Sequence, residues 1–304
     1  MTKYWMVAWA AKAFSMTPGT RRLYRRLGNV VLQRQRLQAG LPPRYVERAR
    51  RLIQICEKYQ VVKPGDRVLE VGTGWVHWEA TILRLFYDVK LTLFDVVDNH
   101  LLSVYKEYLQ ELDRVIDREL ALSPSQSERV HPLLRALYSA TSFEEIFDLL
   151  DAEYIIHPAG TLNQFPNKEF AAIVSCDVLE HIDRDILPEF LRDSFRLLQP
   201  GGYAIHQIDL SDHYAYFDPS ASRKNYYQYS DKAWARYFDS VVQYVNRVQR
   251  PEWSELFCQA GFELVEQELE QGDIASIKID PRYQNLSKQD LECLVMRVVY
   301  RRPK

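Results

Sequence analysis

The 304-residue chain is 47% hydrophobic and 26% charged, enough apolar material for a large core and too evenly mixed for a disordered, collagen-like or coiled-coil protein. Its formal charge is −2, from 39 Lys and Arg against 41 Asp and Glu, which argues against a polycation that binds nucleic acid through its overall charge. Cys56, Cys176, Cys258 and Cys293 form no C-x-x-C pair, which argues against a disulfide scaffold or zinc knuckle and fits a reducing, cytoplasmic setting; no apolar run approaches the roughly 20 residues that span a membrane.

The near-neutral total hides an asymmetry. Residues 1–40 carry eight basic side chains and no acid, leaving 31 basic against 41 acidic groups, net −10, from residue 41 onward. The apolar start Tyr4–Ala11 is interrupted by Lys12, and no clear cleavage pattern follows, so it is not read as a signal peptide. Two readings stay open: a helix packed on the domain with a solvated basic face, or an interfacial helix that places Trp5 and Trp9 at a headgroup layer and makes weak membrane-surface contact. Arg44–Gln60 has helical spacing of Val46, Ala49, Leu52, Ile53 and Cys56. Arg67–Val71 is a short β-rich run, Glu79–Tyr87 a helix, and Leu91–Asp95 the next strand. A helical stretch from about Leu101 to Leu150 breaks at Ser123-Pro124-Ser125, and Thr141 with Glu144 predicts a capping box for its last helix. Further strands are expected at Tyr154–Ile156 and Ala171–Ser175. A helix over Ile186–Leu198 is stopped by Pro200-Gly201-Gly202, and Tyr203–Ile208 follows as a strand. Glu252–Ala260 reads as helix, and Phe262–Glu268 and Leu294–Tyr300 as the final strands. Short apolar strands alternating with helices predict an α/β fold whose mostly parallel sheet is covered on both faces. The segment 211–257 breaks this alternation with 12 aromatics in 47 residues, and reads as a cap.

Val68-Leu69-Glu70-Val71-Gly72-Thr73-Gly74-Trp75 is a strand entering a glycine turn, the place where open α/β sheets bind nucleotides. Asp95, ending the next strand, is positioned to accept both ribose hydroxyls of an adenosine. A dinucleotide-binding dehydrogenase wants G-x-G-x-x-G, and here His77 stands at the third glycine, where it would crowd a pyrophosphate. Glu70 suits instead a ligand with a cationic amino group, such as S-adenosylmethionine.

With these motifs, and with Ser175-Cys176-Asp177-Val178-Leu179-Glu180-His181 followed by Leu198-Gln199-Pro200-Gly201-Gly202-Tyr203, the chain resembles the class I S-adenosylmethionine-dependent methyltransferases from about Arg67 to Ala215. Val76 departs from the family's third loop glycine. The resemblance implies a Rossmann-like three-layer sandwich, with a seven-stranded, mostly parallel sheet and an antiparallel last strand. To this the chain adds N-terminal helices over 1–60 and, within a 61–304 domain, a helical, aromatic cap at about 211–250. It also implies that Glu70 lies near the methionine amino group, and that Gly72, Thr73, Gly74 and Trp75 cradle the methionine and ribose. Asp95 would take the ribose hydroxyls and Asp177 would close the pocket. The loop Ala159-Gly160-Thr161 would border the adenine, without the acid usual there.

His181, His206, Asp209, Asp212 and His213 fall at the carboxyl ends of the fourth and fifth strands, the edge that faces the transferred methyl in that family. Methyl transfer to a hydroxyl needs a base, and imidazole suits neutral pH. The same residue types could hold a divalent metal, but spacing alone assigns none. The cap's Tyr226, Tyr227, Tyr229, Trp234, Tyr237 and Tyr244 read either as a stacking surface or as the core of a small lobe. Arg223, Lys224, Asn246 and Arg247 read either as binders of an acidic group or as a solvated face. The expectation is a cytoplasmic enzyme that methylates a small-molecule acceptor, most simply at oxygen, in a saccharide or secondary-metabolite pathway. A noncatalytic cofactor-binding relative is the alternative. A nucleic-acid acceptor is disfavoured, since only the N-terminal arm is basic and no N/D-P-P-Y/F motif occurs.

Overall fold

A computed structural model describes residues 2–274 and 277–304. In chain order the elements are α1 (Thr2–Ser15), α2 (Pro18–Ala39), α3 (Pro43–Tyr59), β1 (Arg67–Val71), α4 (Trp78–Phe86), β2 (Lys90–Asp95), α5 (Leu102–Glu119), α6 (Pro124–Ser139), α7 (Phe143–Leu150), β3 (Ala152–Ile156), β4 (Phe170–Cys176), α8 (Leu187–Leu197), β5 (Leu198–Asp209), α9 (Asp231–Tyr237), α10 (Arg250–Gln259), β6 (Glu263–Gln271), α11 (Lys288–Glu292) and β7 (Cys293–Arg301). The seven strands form one sheet in the order β3-β2-β1-β4-β5-β7-β6. β1 runs parallel to β2 and β4, and β2 parallel to β3. β7 is antiparallel to β5: Gly201 N–H donates to Arg302 O at 2.9 Å and Leu210 N–H to Leu294 O at 2.8 Å, so one set of numbers falls as the other rises. This is the mostly parallel, seven-stranded sheet with an antiparallel last strand that the family resemblance implies.

Local chemistry accounts for the elements. β1 is buried at every position after Arg67, as a parallel strand covered on both faces must be. α3 starts with Pro43 in its first turn and buries Tyr45, Val46, Ala49, Leu52, Ile53 and Cys56 at helical spacing. α6 opens on a capping box between Ser123 and Gln126.

Two expectations are corrected. α7 is capped by Ser142, whose side chain accepts from Glu145 N–H, and not by Thr141 with Glu144; Thr141 N–H instead donates to the Glu145 carboxylate at 2.6 Å. Pro200-Gly201-Gly202 does not separate helix from strand, because β5 starts at Leu198 and carries all three residues. Arg302 N–H donates to Gly202 O, so the glycines pair as strand. A Cβ on Gly202 would lie 2.9 Å from Gln199 O and 3.0 Å from Ala171 O, a space only glycine fits.

The chain divides into two compact units. The turn unit comprises Asn29–Ser175, Arg192–Ile205 and Arg301–Lys304. Its buried residues include Val68, Leu69, Leu91 and Leu93 of the strands and Leu109, Leu112 and Ile116 of α5, all 2% exposed or less. The cap unit comprises the residues up to Gly28, Cys176–Leu191 and His206–Tyr300. Its core is aromatic: Tyr214, Tyr226, Tyr227, Trp234, Phe238 and Tyr283 close around Tyr4, Ala8 and Ala11 of α1. Tyr226, Tyr227 and Trp234 are thus core residues, not a stacking surface. Lys224 is fully buried and donates to Gln249 Oε1 at 3.0 Å and Tyr226 Oη at 3.2 Å; burial pushes its pKa down to about 7.

α1 is held by polar anchors as well as by packing. Tyr4 N–H donates to Asp218, and Lys12 Nζ donates to the carbonyls of Ala235 and Arg236 at 2.9 and 2.6 Å. α2 buries no residue, and exposes Leu23, Leu27, Val30 and Leu37 along one flank among its arginines. Among the described residues, no helix is long and apolar enough to cross a membrane.

Candidate functional site

In the turn unit, β1 delivers the chain into a loop bound to the end of β2. Gly72 and Gly74 both adopt left-handed φ, 68° and 61°. Gly72 N–H donates to Phe94 O at 2.8 Å, and Gly74 N–H donates to Asp95 Oδ2 at 2.9 Å. Asp95 Oδ1 accepts from Val96 N–H at 2.7 Å and from Val97 N–H at 3.3 Å. Burial pushes the Asp95 carboxyl above its ordinary pKa, and these three amides offset part of the rise. His157 N–H donates to Asp95 O at 2.9 Å. A Cβ on Gly160 would come within 3.2 Å of the exposed Val96 side chain, so the loop Ala159-Gly160-Thr161 lies beside the end of β2.

Glu70 faces the other way from solvent. It is buried, and its Oε2 accepts from Ala80 N–H at 3.0 Å in the first turn of α4. Burial, then the neighbouring Glu79, push its pKa well up against the pull of that amide, Arg48 and Thr73. Thr73 shares a 2.6 Å hydrogen bond with Nδ1 of His77. His77 precedes α4 with a left-handed φ of 40°, and its ring sits against His100, Phe143, Phe147 and Tyr154. Burial pushes its pKa down to about 3, so it is a neutral, structural histidine that fills the third-glycine position. Arg36 stacks on Trp75 at 4.0 Å, and the Trp75 indole N–H is buried without an acceptor.

These residues fit an adenosine-bearing cofactor. A Cβ on Gly74 would meet nothing nearer than Gly72 O at 3.8 Å, so the turn is open to a ligand's close approach. The Asp95 carboxylate has roughly four acceptor positions, of which three are taken. Val96, 44% exposed, offers an apolar shelf, and Trp75 offers an unused donor.

In the cap unit, the candidate acid and base residues separate into groups. Asp209, at the end of β5, places Oδ2 3.4 Å from His213 Nε2, and the His213 ring centroid lies 4.9 Å from that of His181. Burial alone would raise the Asp209 pKa. His213, the Tyr216 hydroxyl and Ser211 N–H outweigh it and hold the carboxylate well below its ordinary value. His181 Nδ1 lies 2.7 Å from Tyr244 O. One edge of His181 is exposed, yet the crowding around the ring, and then His213, push its pKa down. Glu180, unweighed as a site residue at the sequence level, joins this group. Its carboxylate is 2% exposed, neither oxygen has a hydrogen-bond partner, and burial and then Asp177 and Asp209 push its pKa well up. Asn246 braces the turn that carries Glu180 and His181, donating N–H to Glu180 O at 2.8 Å and Nδ2–H to Leu179 O at 2.9 Å. Its own sequence gave no signal of this.

The remaining candidates have other partners. Asp212 accepts from Tyr4 Oη at 2.6 Å and from Tyr214 N–H at 3.0 Å, fully buried, and burial pushes its pKa up to about 6. His206 packs on Phe257 with ring centroids 5.7 Å apart, and burial lowers its pKa to about 3. Asp177 is exposed with a left-handed φ of 57°, and accepts from Gln207 Nε2 at 3.0 Å. A cavity of about 560 Å³ in the same unit is lined by Arg184, Trp234, Tyr244, Arg247 and Arg282 among others.

The profile of a family described as a methyltransferase domain matches residues 44–267, and the chain belongs to that family. It is a class I S-adenosylmethionine-dependent methyltransferase, an enzyme whose cofactor is S-adenosylmethionine. Solved structures similar to it include an S-adenosylmethionine-dependent methyltransferase from Methanosarcina mazei, 12% identical over 82% of this chain and 97% of that one, with a TM-score of 0.47. Phosphoethanolamine N-methyltransferase 2 from Haemonchus contortus, solved with S-adenosyl-L-methionine, is 13% identical over 84% of this chain and 52% of that one, TM-score 0.45. The [4+2]-cyclase SpnF is 14% identical over 84% and 80%, TM-score 0.44. No curated protein matches the chain.

Proposed function

We propose that this methyltransferase acts in the cytoplasm and modifies a hydroxyl oxygen of a small molecule, of saccharide or secondary-metabolite type. The group formed by His181, His213 and Asp209 is the observation that carries the reading. A hydroxyl is a weak nucleophile until its proton leaves, and here an imidazole stands beside a carboxylate held firmly ionised. This group promotes loss of the hydroxyl proton. At the glycine turn, Gly72, Thr73, Gly74 and Trp75 would cradle the cofactor and Asp95 would accept from its ribose, while Glu70 holds α4 against the turn from behind. Bound there, S-adenosylmethionine supplies an electrophilic methyl group. α2, with an exposed apolar flank among arginines, gives the protein a weak contact with anionic membrane surfaces.

The test uses extracts of producing cells with and without the gene, incubated with isotope-labelled cofactor and read by mass spectrometry for labelled methyl ethers. His213→Ala should lower turnover by roughly 10²–10⁴ with S-adenosylhomocysteine affinity unchanged. Labelled products bearing the methyl on nitrogen or carbon would overturn the oxygen assignment, and full turnover in His213→Ala would overturn the role of the group.

A further inference from the structure

We propose that Glu180, His181 and His213 form a binding site for one divalent cation of the Mn²⁺ class, with Asp209 beside it as a further carboxylate. One ligand atom from each of the three residues lies within 4.8 Å of the other two. Ligands bonded to one cation at about 2.1 Å are about 3–4.2 Å apart, so side-chain adjustments of roughly 1 Å complete the site.

The state of each ligand suits a cation. Glu180 is the strongest indication. A carboxylate buried without a hydrogen-bond donor costs several kcal/mol as an ion, by the order of magnitude of such transfers. Asp177 and Asp209 add like charge, and no lysine or arginine is among the chief charges acting on it. A divalent ion supplies the missing positive charge. His181 is oriented in the manner usual for metal-binding histidines. Tyr244 O can only accept, so Nδ1 carries the hydrogen and Nε2 presents its lone pair. His213 keeps Nε2 buried, without a hydrogen-bond partner, and 3.4 Å from Asp209 Oδ2. Asn246 fixes the backbone of the turn that bears two of the ligands. Two imidazoles with one carboxylate leave coordination positions open, a donor set suited to octahedral first-row ions.

Binding of the ion does not depend on the oxygen assignment above; its consequence for catalysis does. A hydroxyl bound at an open position loses its proton to water more readily, with no change in the oxidation state of the metal, so the group promotes deprotonation through the ion.

The experiment takes the full chain, stripped with EDTA, and titrates it with Mn²⁺ while the free-ion paramagnetic resonance signal is followed. About one ion per chain should be taken up, with nitrogen hyperfine coupling from two imidazoles. Glu180→Gln and His181→Gln should each weaken uptake at least tenfold. His181→Gln changes a side chain with an exposed edge, and so reports even where the buried substitution fails to fold. Absence of uptake, uptake without nitrogen coupling, or undiminished uptake in folded His181→Gln would each overturn the proposal. Uptake as expected together with N- or C-methylated products would leave the ion site standing and overturn only the oxygen reading.

Discussion

Asp95→Asn preserves the shape of the side chain and removes one acceptor. In the structure both carboxylate oxygens receive backbone donors: Gly74 N–H at 2.9 Å on one, Val96 and Val97 N–H at 2.7 and 3.3 Å on the other. An asparagine turned either way points its NH₂ at a backbone N–H. At least one charge-assisted hydrogen bond, worth about 1.5–3 kcal/mol, is therefore lost. Removing a partly buried charge returns some of that, so the net cost is about 1–3 kcal/mol. At about 2–4 °C per kcal/mol for a chain of this size class, the melting temperature without ligand should fall by about 2–12 °C. The neutral amide is also a poorer acceptor for ribose hydroxyls, so the dissociation constant of S-adenosylhomocysteine should rise about 10- to 100-fold. Scanning calorimetry on the free protein and titration calorimetry with the ligand separate the two effects. A variant with the wild-type melting temperature and the wild-type affinity would refute both the pinning of the turn and the ribose role.

Tyr4→Phe should cost about 1.5–3 kcal/mol in urea unfolding at pH 7.5, where Asp212 is ionised, and less at pH 5, where a neutral carboxyl accepts more weakly; equal costs at the two pH values would contradict this. For wild type the sign follows from a folded-state pKa raised to about 6: the contribution of Asp212 to stability is full below the ordinary carboxylate range, and is lost as pH rises from about 4 through 6. The α2 contact predicts cosedimentation with anionic vesicles at low salt and release as salt shortens the screening length below about 8 Å; an Arg22→Glu, Arg26→Glu variant that still sediments would remove it.

The features legible in the sequence are those whose partners are near in the chain or repeat with a period. β1 occupies Arg67–Val71 in both readings, because a continuous apolar run followed by Gly-x-Gly has one physical interpretation. The start of α7 was ambiguous for an equally local reason. Thr141 with Glu144 and Ser142 with Glu145 have the same spacing, and only the direction of the chain entering the helix selects Ser142. The start of β5 was hidden because Gly201 and Gly202 become strand by pairing with Arg302, about a hundred residues away. Glu180 was visible within a motif, but its exposure to His213 depends on the return of the chain after β5. Asp212 reads as part of the catalytic cluster because it neighbours His213 in sequence, while its hydrogen-bond partner Tyr4 is 208 positions earlier.

That separation has a consequence for biosynthesis. Tyr4, Ala8 and Ala11 are synthesised long before the surface that buries them, since Tyr214, Tyr226, Trp234 and Phe238 all lie beyond residue 210. At about 5–20 residues per second, the first helix waits on the order of 10–40 s for Asp212 to emerge. During that interval its tyrosine and tryptophans have no native lodging, and the nascent chain must shelter them by transient collapse or with a chaperone. Folding of the cap unit is therefore late, and ribosome-bound chains halted before Phe238 should leave α1 open to protease while the earlier strands are already guarded.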